Sequence, residues 1–404
     1  MEKLAKDTYM VSTSRGIYQL NWNGQQAKWQ LLYSSKTFWP DKDTNLSIRL
    51  VGVLDKRTGK PLGFVMNHNP VLSEQKKVRM QKAKSKKLFY SSAYNYKHKQ
   101  YQVDSLLQKN IFDGMVLDVK DDFGYLRYKS QVPFAKKIKS IRPFVSLKQI
   151  VKKVKKWNKY LVVRLVVFKD PVLFRQSGYP IINKQTGKPW IGLPKERWID
   201  PYREDLADNY YIPLMKELQS LGVDEIQLDY IRFPSDGDIS KTKYTHRKNS
   251  LQNLTDALEN FLAKLRPHIQ VPLSMDIYGY NGLYRAPGRI GQDIDVYLKF
   301  ADVLCPMVYS SHFGDYYLTD VPREKRAYRL LRHSALRSLH LASGKAIIRP
   351  YLQAFPMKNS IWGYGKKYFL DQVLASKEMG IDGYTFWGAF KHILRVANDL
   401  KSIQ

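Results

Sequence analysis

The amino-acid sequence predicts an α/β fold, a (β/α)8 TIM barrel preceded by a small β-rich N-terminal region. Eight short apolar runs alternate with helical stretches over the last three quarters of the chain. Three helical stretches end in a glycine just before the next run, at Gly222, Gly344 and Gly380, which is typical of a helix C-terminus. No glycine-rich phosphate loop follows any run, so a doubly wound open sheet is the less favoured alternative.

The eight predicted strands occupy residues 88–93, 114–119, 161–168, 225–233, 271–277, 303–309, 346–351 and 383–387. Helices are predicted between them, at 102–109, 147–157, 205–221, 250–265 and 367–379. Residues 88–404 are therefore expected to form the barrel domain. The long segment 171–200 exceeds the usual connection between a strand and a helix, and we expect it to form a wall of a cleft.

The N-terminal region is predicted to be rich in β-structure. Asn23 and Gly24 separate two strand-like runs, which indicates a hairpin, and a second pair of runs flanks residues 56–61. Residues 1–75 are thus expected to form a small β-rich domain or extension, and residues 76–87 a basic linker.

The net charge of the chain indicates which classes of binding partner to expect. The chain has 404 residues and a formal net charge of +31, from 67 basic and 36 acidic residues. Such a charge favours anionic partners such as acidic polysaccharide, a membrane surface or nucleic acid. Solvated lysine on linkers and helix faces is the plainer interpretation of the clusters at 76–87 and 136–159. No nucleic-acid-binding motif appears, and the sequence leaves the oligomeric state open.

Segments that would indicate a compartment are not found. No run of about eighteen apolar residues occurs, so no transmembrane helix is expected. The first residues lack the apolar core of a signal peptide, which leaves a cytoplasmic location and a leader missing from this chain as alternatives. The single cysteine, Cys305, excludes an intramolecular disulfide and a cysteine-based metal site, and it is expected to be buried.

The stretch 224–234 is the most informative segment. Glu225, Gln227 and Asp229 share one parity, while Ile226 and Leu228 share the other. Because side chains alternate across a strand, one face is apolar and the other polar. This pattern is typical of a barrel strand whose polar face points inward, although an amphipathic edge strand would show the same alternation.

Polar residues also end the other predicted strands. Cleavage of a glycosidic bond needs two carboxylates astride the bond, and neighbouring strand ends bring Asp229 and Asp276 within range. Glu225 lies four residues below Asp229, so we expect a structural role for it with Arg164. Asp118 is the alternative to Asp276 as the catalytic partner of Asp229, or it binds sugar hydroxyl groups. Further candidates at strand ends, expected to contact substrate, are Asp118, Asp121, Arg164, Asp170, Arg232, Tyr309, His312, Arg349, Gln353 and Trp387.

Several of these candidates have plainer interpretations. Asp121 and Asp170 are also compatible with loop and turn positions, and Tyr309 and Trp387 with core aromatics. No histidine cluster has the spacing of metal ligands, so neither a metal nor another cofactor is expected. Mg²⁺ or Ca²⁺ among Asp118, Asp121 and Asp122 is the weaker alternative.

The strand-end motifs resemble a bacterial TIM-barrel family of glycoside hydrolase type. The matching segments are 116–124, 164–171, 224–234, 274–279, 291–292, 306–312 and 349–353. They follow the family's order over residues 88–398. This chain has Cys305 where the family commonly has serine and Ser310 where it commonly has proline. The resemblance implies a barrel with a glycosidase-like site, and, because members are often exported, it implies export or envelope association.

The residues and the resemblance together predict a glycoside hydrolase that acts on a polysaccharide or oligosaccharide. The substrate is either neutral or acidic. Asp229 is the expected nucleophile or base and Asp276 the expected general acid. One alternative is a non-catalytic carbohydrate-binding barrel. Another is a basic protein that binds anionic envelope polymers or nucleic acid.

Overall fold

The structure, a computed structural model, describes residues 72–249, 253–283, 288–314, 317–356 and 364–401. Nearer the N-terminus it describes the backbone of six strands. Four of them form an antiparallel sheet in chain order, Glu2–Ala5, Thr8–Thr13, Gly16–Trp22 and Ala27–Ser34, and two form a hairpin, Arg49–Leu54 with Pro61–Asn67. Both predicted strand pairs are therefore present, while Asn23 and Gly24 lie outside the described residues.

A closed barrel of eight parallel strands follows. The strands are β1 (Lys87–Ser91), β2 (Gly114–Lys120), β3 (Tyr160–Val166), β4 (Glu225–Asp229), β5 (Leu273–Tyr278), β6 (Val303–Met307), β7 (Ile347–Ile348 and Tyr351–Gln353) and β8 (Tyr384–Trp387). Each strand pairs with its neighbours in the chain, and β8 pairs with β1, which closes the barrel. All eight predicted strands are confirmed.

Helices connect the strands and cover the barrel from outside. They span Glu74–Ala83, Ala93–His98, Gln100–Gln108, Pro133–Lys137, Leu147–Lys156, Ile212–Ser220, Leu254–Leu265, Ile294–Phe300, Arg326–Ala342, Lys366–Glu378 and Phe390–Lys401. Leu147–Lys156 shows why such segments are helical, since its buried residues recur at a spacing of three or four. The three glycines that were predicted to end helices all have positive φ, which confirms that interpretation.

The helix Glu74–Ala83 covers most of the segment 76–87 that was predicted as a basic linker. Ala83 is buried, and Arg79 Nε donates to the buried Asp302 Oδ2 at 2.9 Å, a carboxylate that precedes β6. Lys76 Nζ donates to the Leu298 carbonyl at 2.9 Å. Much of the linker is thus ordered against the amino-terminal end of the barrel.

The side chains of β4 alternate as predicted, with apolar residues facing the helices and polar residues facing the barrel interior. Ile226 and Leu228 belong to the large apolar core shared with the helices. Gln227 instead accepts a hydrogen bond from Tyr351 of β7 at 2.7 Å, across the barrel interior. The interior therefore carries a column of polar residues from β4, with Glu225 at the bottom and Asp229 at the top.

Among the described residues, no helix combines the length and the apolar character that a membrane span requires.

Candidate active site

Three charged side chains from neighbouring strands meet in the upper half of the barrel, towards the carboxyl ends of the strands. Arg164 of β3 donates from Nη1 to Asp118 Oδ1 at 2.5 Å. It also donates from Nε and Nη2 to Asp229 Oδ2, at 3.0 and 2.5 Å. All three side chains are buried. One guanidinium therefore balances two carboxylates whose burial would otherwise be costly.

Asp276 of β5 completes this group. It is 1% exposed, and neither of its carboxyl oxygens accepts a hydrogen bond from a described residue. The nearest cationic atom is Arg164 Nε, 3.9 Å from Asp276 Oδ2. Burial, reinforced by the charge of Asp229, raises the pKa of Asp276 well above its ordinary value. The environment of Asp276, beside Asp229, therefore favours the protonated form of its carboxyl group.

Asp118 lies in a related environment. Burial raises its pKa to about 6, although Arg164 and a hydrogen bond from the Tyr90 hydroxyl oppose the increase. Asp122, on the loop that follows β2, adds negative charge, with its Oδ2 3.9 Å from Arg164 Nη1. Asp118 thus changes its charge in the range where many enzymes operate.

The backbone holds Asp229 in place. The next residue, Tyr230, has a φ of +51°, a left-handed conformation that is uncommon for a residue with a bulky side chain. This turn points the Tyr230 N–H at Asp229 Oδ1, at 2.6 Å. Asp229 therefore accepts hydrogen bonds from three N–H groups, two of them on Arg164. Left-handed residues of this kind concentrate at functional sites.

Aromatic rings line one side of the mouth. The rings of Tyr309 and Trp387 are stacked, with centroids 5.6 Å apart, and Phe355 and Tyr90 contact Trp387 at 5.2 and 6.0 Å. His312 meets Tyr309 edge to face at 5.1 Å and is exposed. Trp387 is half-buried, so part of its ring surface is open to the mouth.

On the opposite side, the predicted wall segment reaches the mouth through Trp198. This ring lies 5.7 Å from that of Tyr230 and 4.9 Å from the Arg232 guanidinium. Trp190 and Trp198 are both buried within the segment. Its residues Ile182–Asn183 pair with Thr242–Lys243 of the loop after β4. That the segment forms a cleft wall stays a prediction.

Three predicted site residues hold loops together. Asp121 accepts the Arg127 Nε–H at 2.5 Å and two backbone N–H groups of its own loop. Asp170 is buried, 2.7 Å from Lys120 Nζ, and accepts two backbone N–H groups of the following turn. Gln353 accepts the Ser311 N–H at 3.2 Å. All of these bonds are made within the protein. That the three residues also contact substrate stays a prediction.

Arg349 and Glu225 form a second buried ion pair, lower in the barrel. Arg349 Nη1 donates to Glu225 Oε2 at 3.1 Å, Nη2 donates to Oε1, and Tyr160 donates to Oε2 at 3.0 Å. Both partners are fully buried. Glu225 therefore pairs with Arg349, and not with Arg164 as was predicted. Arg164 instead extends towards Asp118 and Asp229, nearer the carboxyl ends of the strands. The structure places Arg349 beneath the carboxylate group, away from the mouth.

Two residues near the site were not among the predicted ones. Tyr90 binds Asp118, and the Lys169 ammonium lies 4.5 Å from the centre of the Tyr230 ring and 3.5 Å from Asp122 Oδ1. Tyr90 shares the inward parity of Leu88, so the alternation of β1 offered a signal for it. Lys169 offered none beyond its position at the end of β3.

The possibility of a metal centre concerns the acidic residues after β2. Within the described parts of the chain, no three histidine, cysteine, aspartate or glutamate residues are arranged to hold an ion. The carboxylates of Asp118 and Asp121 instead face Arg164 and Arg127. These guanidinium groups occupy the positions at which a cation would neutralise the carboxylates.

The fold and the site define a class: a TIM-barrel protein with a buried carboxylate group at the carboxyl ends of its strands. Within this class the family is shown by the sequence, because residues 89–392 match the model described as "Putative glycosyl hydrolase domain". The match covers well over half of the chain, so the protein belongs to this family. The resemblance drawn from the strand-end motifs is thereby confirmed.

Solved structures give distant matches. A hypothetical protein from Ruminiclostridium thermocellum is 30% identical, with 46% of this chain and 96% of that chain covered and a TM-score of 0.42. A chitinase from Rhizomucor miehei is 13% identical, covering 79% and 100%, with a TM-score of 0.46. An alpha-galactosidase from Thermus thermophilus is 12% identical, covering 85% and 72%, with a TM-score of 0.48. A search of curated proteins finds no match.

Proposed function

We propose that this protein is a glycoside hydrolase that cleaves O-glycosidic bonds in a polysaccharide or oligosaccharide. One observation carries the proposal: Asp276, whose pKa is raised by burial, lies beside Asp229, which accepts hydrogen bonds from three N–H groups. Glycosidic cleavage requires two carboxyl groups in different environments, one that acts as an acid and one that acts as a nucleophile or base. Membership in a glycosyl hydrolase family supports the same reaction.

The proposed roles follow from the environments. Asp276, whose pKa is raised by burial, donates a proton to the glycosidic oxygen and so assists departure of the leaving sugar. Asp229, an acceptor of hydrogen bonds, either attacks the anomeric carbon or removes a proton from the attacking water. Arg164 is a positioning residue, because it holds the Asp229 carboxylate through two hydrogen bonds.

The aromatic rings support a carbohydrate ligand. Trp387 presents a half-buried ring next to Tyr309 and above the carboxylates. The apolar face of a sugar ring packs well on such a surface, while the hydroxyl groups reach polar partners. In the proposal, Trp387, Tyr309 and His312 hold the sugar, with Asp118 bound to its hydroxyl groups.

The test is hydrolysis of a broad glycan panel by the wild type and by two variants, Asp229→Asn and Asp276→Asn. Each variant is expected to lose activity by about 10³-fold or more, because each removes a group that acts on the reacting bond. Asp113→Asn is the matched control: Asp113 precedes β2 at the opposite end of the barrel and accepts the Lys87 N–H at 2.8 Å.

Unchanged hydrolysis by Asp229→Asn, in protein with an unaltered circular dichroism spectrum, would exclude that residue as the nucleophile or base. Absence of turnover by the wild type, with glycan binding retained, would favour the alternative of a carbohydrate-binding barrel. Such a protein would use the Asp118–Arg164–Asp229 network for binding and stability alone.

A further inference from the structure

Arg232 lies in the loop that follows β4, at the same end of the barrel as the two proposed catalytic carboxylates. It follows Asp229 by three residues, and its guanidinium carbon is surrounded by three aromatic rings. The ring centres of Trp198, Tyr230 and Tyr278 lie 4.9, 5.1 and 5.4 Å away. Tyr230 is the residue after Asp229, and Tyr278 ends the strand that contains Asp276. The guanidinium therefore sits between the ends of β4 and β5.

Among the described residues, no carboxylate balances the charge of Arg232. The residue is only 7% exposed, and Nη1 donates to two uncharged acceptors, the Phe233 carbonyl at 2.9 Å and Ser235 Oγ at 3.2 Å. No aspartate or glutamate of the described residues lies within 4.0 Å. The buried Arg164 and Arg349, by contrast, each bind a carboxylate directly.

A buried guanidinium without a counter-charge is costly. The three rings offset part of this cost, because a guanidinium over the face of an aromatic ring is attracted by the ring's negative face. Nε and Nη2 of Arg232 donate to no described residue, and together they form the planar edge that matches an oxyanion in bidentate geometry. The rings thus surround the guanidinium while this edge keeps its donors for an oxyanion.

We propose that Arg232 binds the acidic group, a carboxylate or a sulfate, of a sugar unit next to the bond that is cleaved. The inference rests on the proposed function and narrows it, because it makes the substrate an anionic polysaccharide. The formal net charge of +31 agrees with this assignment, since it draws polyanions to the protein as a whole.

The test measures binding by calorimetry, with Asp229→Asn protein so that no ligand is cleaved. The probes are trisaccharides of galacturonic acid and of glucuronic acid with their carboxyl-reduced forms, and sulfated galactose trisaccharides with their unsulfated forms. We expect one acidic probe to bind roughly 10- to 100-fold more tightly than its neutral counterpart, the range of a hydrogen-bonded charge pair. The pair that differs identifies the acidic group.

Adding Arg232→Met is expected to bring that ratio close to one, whereas Arg232→Lys is expected to retain part of it. Lys148→Met removes one exposed positive charge from the helix Leu147–Lys156 and should leave the ratio unchanged. Unfolding midpoints of the variants verify that each is folded.

Equal binding of acidic and neutral probes, or a ratio that persists in Arg232→Met, would overturn the assignment of Arg232. Failure of the wild type to hydrolyse any glycan would instead count against the proposed function. The two failures are distinguishable, because the first is measured by binding to an inactive variant and the second by turnover.

Discussion

At the scale of single residues, the proposed chemistry depends on Asp276, a residue whose surroundings disfavour its charged form. Asp276 has no hydrogen-bond donor for either carboxyl oxygen among the described residues, and the Asp229 carboxylate adjoins it. A residue selected for stability alone would not be an aspartate at this position. Such conflicts between stability and local environment are typical of functional sites.

Asp276→Asn is therefore expected to remove a pH-dependent loss of stability. The pKa of Asp276 is raised on folding from about 3.9 in the unfolded chain. The folded protein then binds more protons, so the free energy of unfolding falls as pH rises above about 4, until the folded pKa is reached. This residue contributes up to about 1.4 kcal/mol per pH unit to the slope.

Urea unfolding at pH 5 and pH 8 measures this slope. The wild type should lose more stability between the two values than Asp276→Asn does, and the variant should be the more stable protein at pH 8. Asp113→Asn serves again as the control, since Asp113 lies outside the site. A variant with the same slope as the wild type would show that Asp276 is ionised in the folded protein.

At the scale of elements, the seventh strand is interrupted. Ile347–Ile348 and Tyr351–Gln353 are separated by Arg349 and Pro350, and proline has no N–H to donate to a sheet. The neighbouring strands still bond this segment, through Arg349 N–H to the Leu304 carbonyl and Thr385 N–H to the Pro350 carbonyl. The break therefore leaves the barrel closed while Arg349 crosses the interior to Glu225.

Arg349→Met is expected to destabilise the fold by about 3–5 kcal/mol, because it leaves Glu225 charged and buried without its partner. Adding Glu225→Gln should restore a large part of that loss, which thermal unfolding of both variants measures. If Arg349 contacted substrate, as its position in the sequence suggests, Arg349→Met would also raise KM. An unchanged KM in the folded variant would assign Arg349 to structure alone.

At the scale of the whole molecule, the positive charge should make activity on acidic polymers sensitive to salt. Exposed lysines on Leu147–Lys156 add to a field that is screened over about 10 Å at 0.1 M ionic strength. We expect kcat/KM on an acidic polymer to fall between 50 and 200 mM salt, and that on a neutral polymer to stay nearly constant. If kcat/KM depended on salt equally for the two polymers, the net charge would have no role in attracting acidic substrates.

The order of strands followed from sequence because it rests on local signals. Runs such as Gly114–Val119 show their burial directly, and Gly222 marks a helix end through its own backbone. The partners of interior charges could not be derived in that way. Glu225 and Arg349 are separated by 124 positions, and which of two arginines reaches Glu225 depends on how far up the barrel each side chain extends.

The left-handed backbone at Tyr230 has a consequence for laboratory evolution. Glycine would adopt this conformation without cost, so a search for heat resistance would draw position 230 towards glycine. Tyr230→Gly would also remove the aromatic ring that contacts both Arg232 and Lys169. Selection for thermal stability and selection for turnover should therefore favour different residues at position 230.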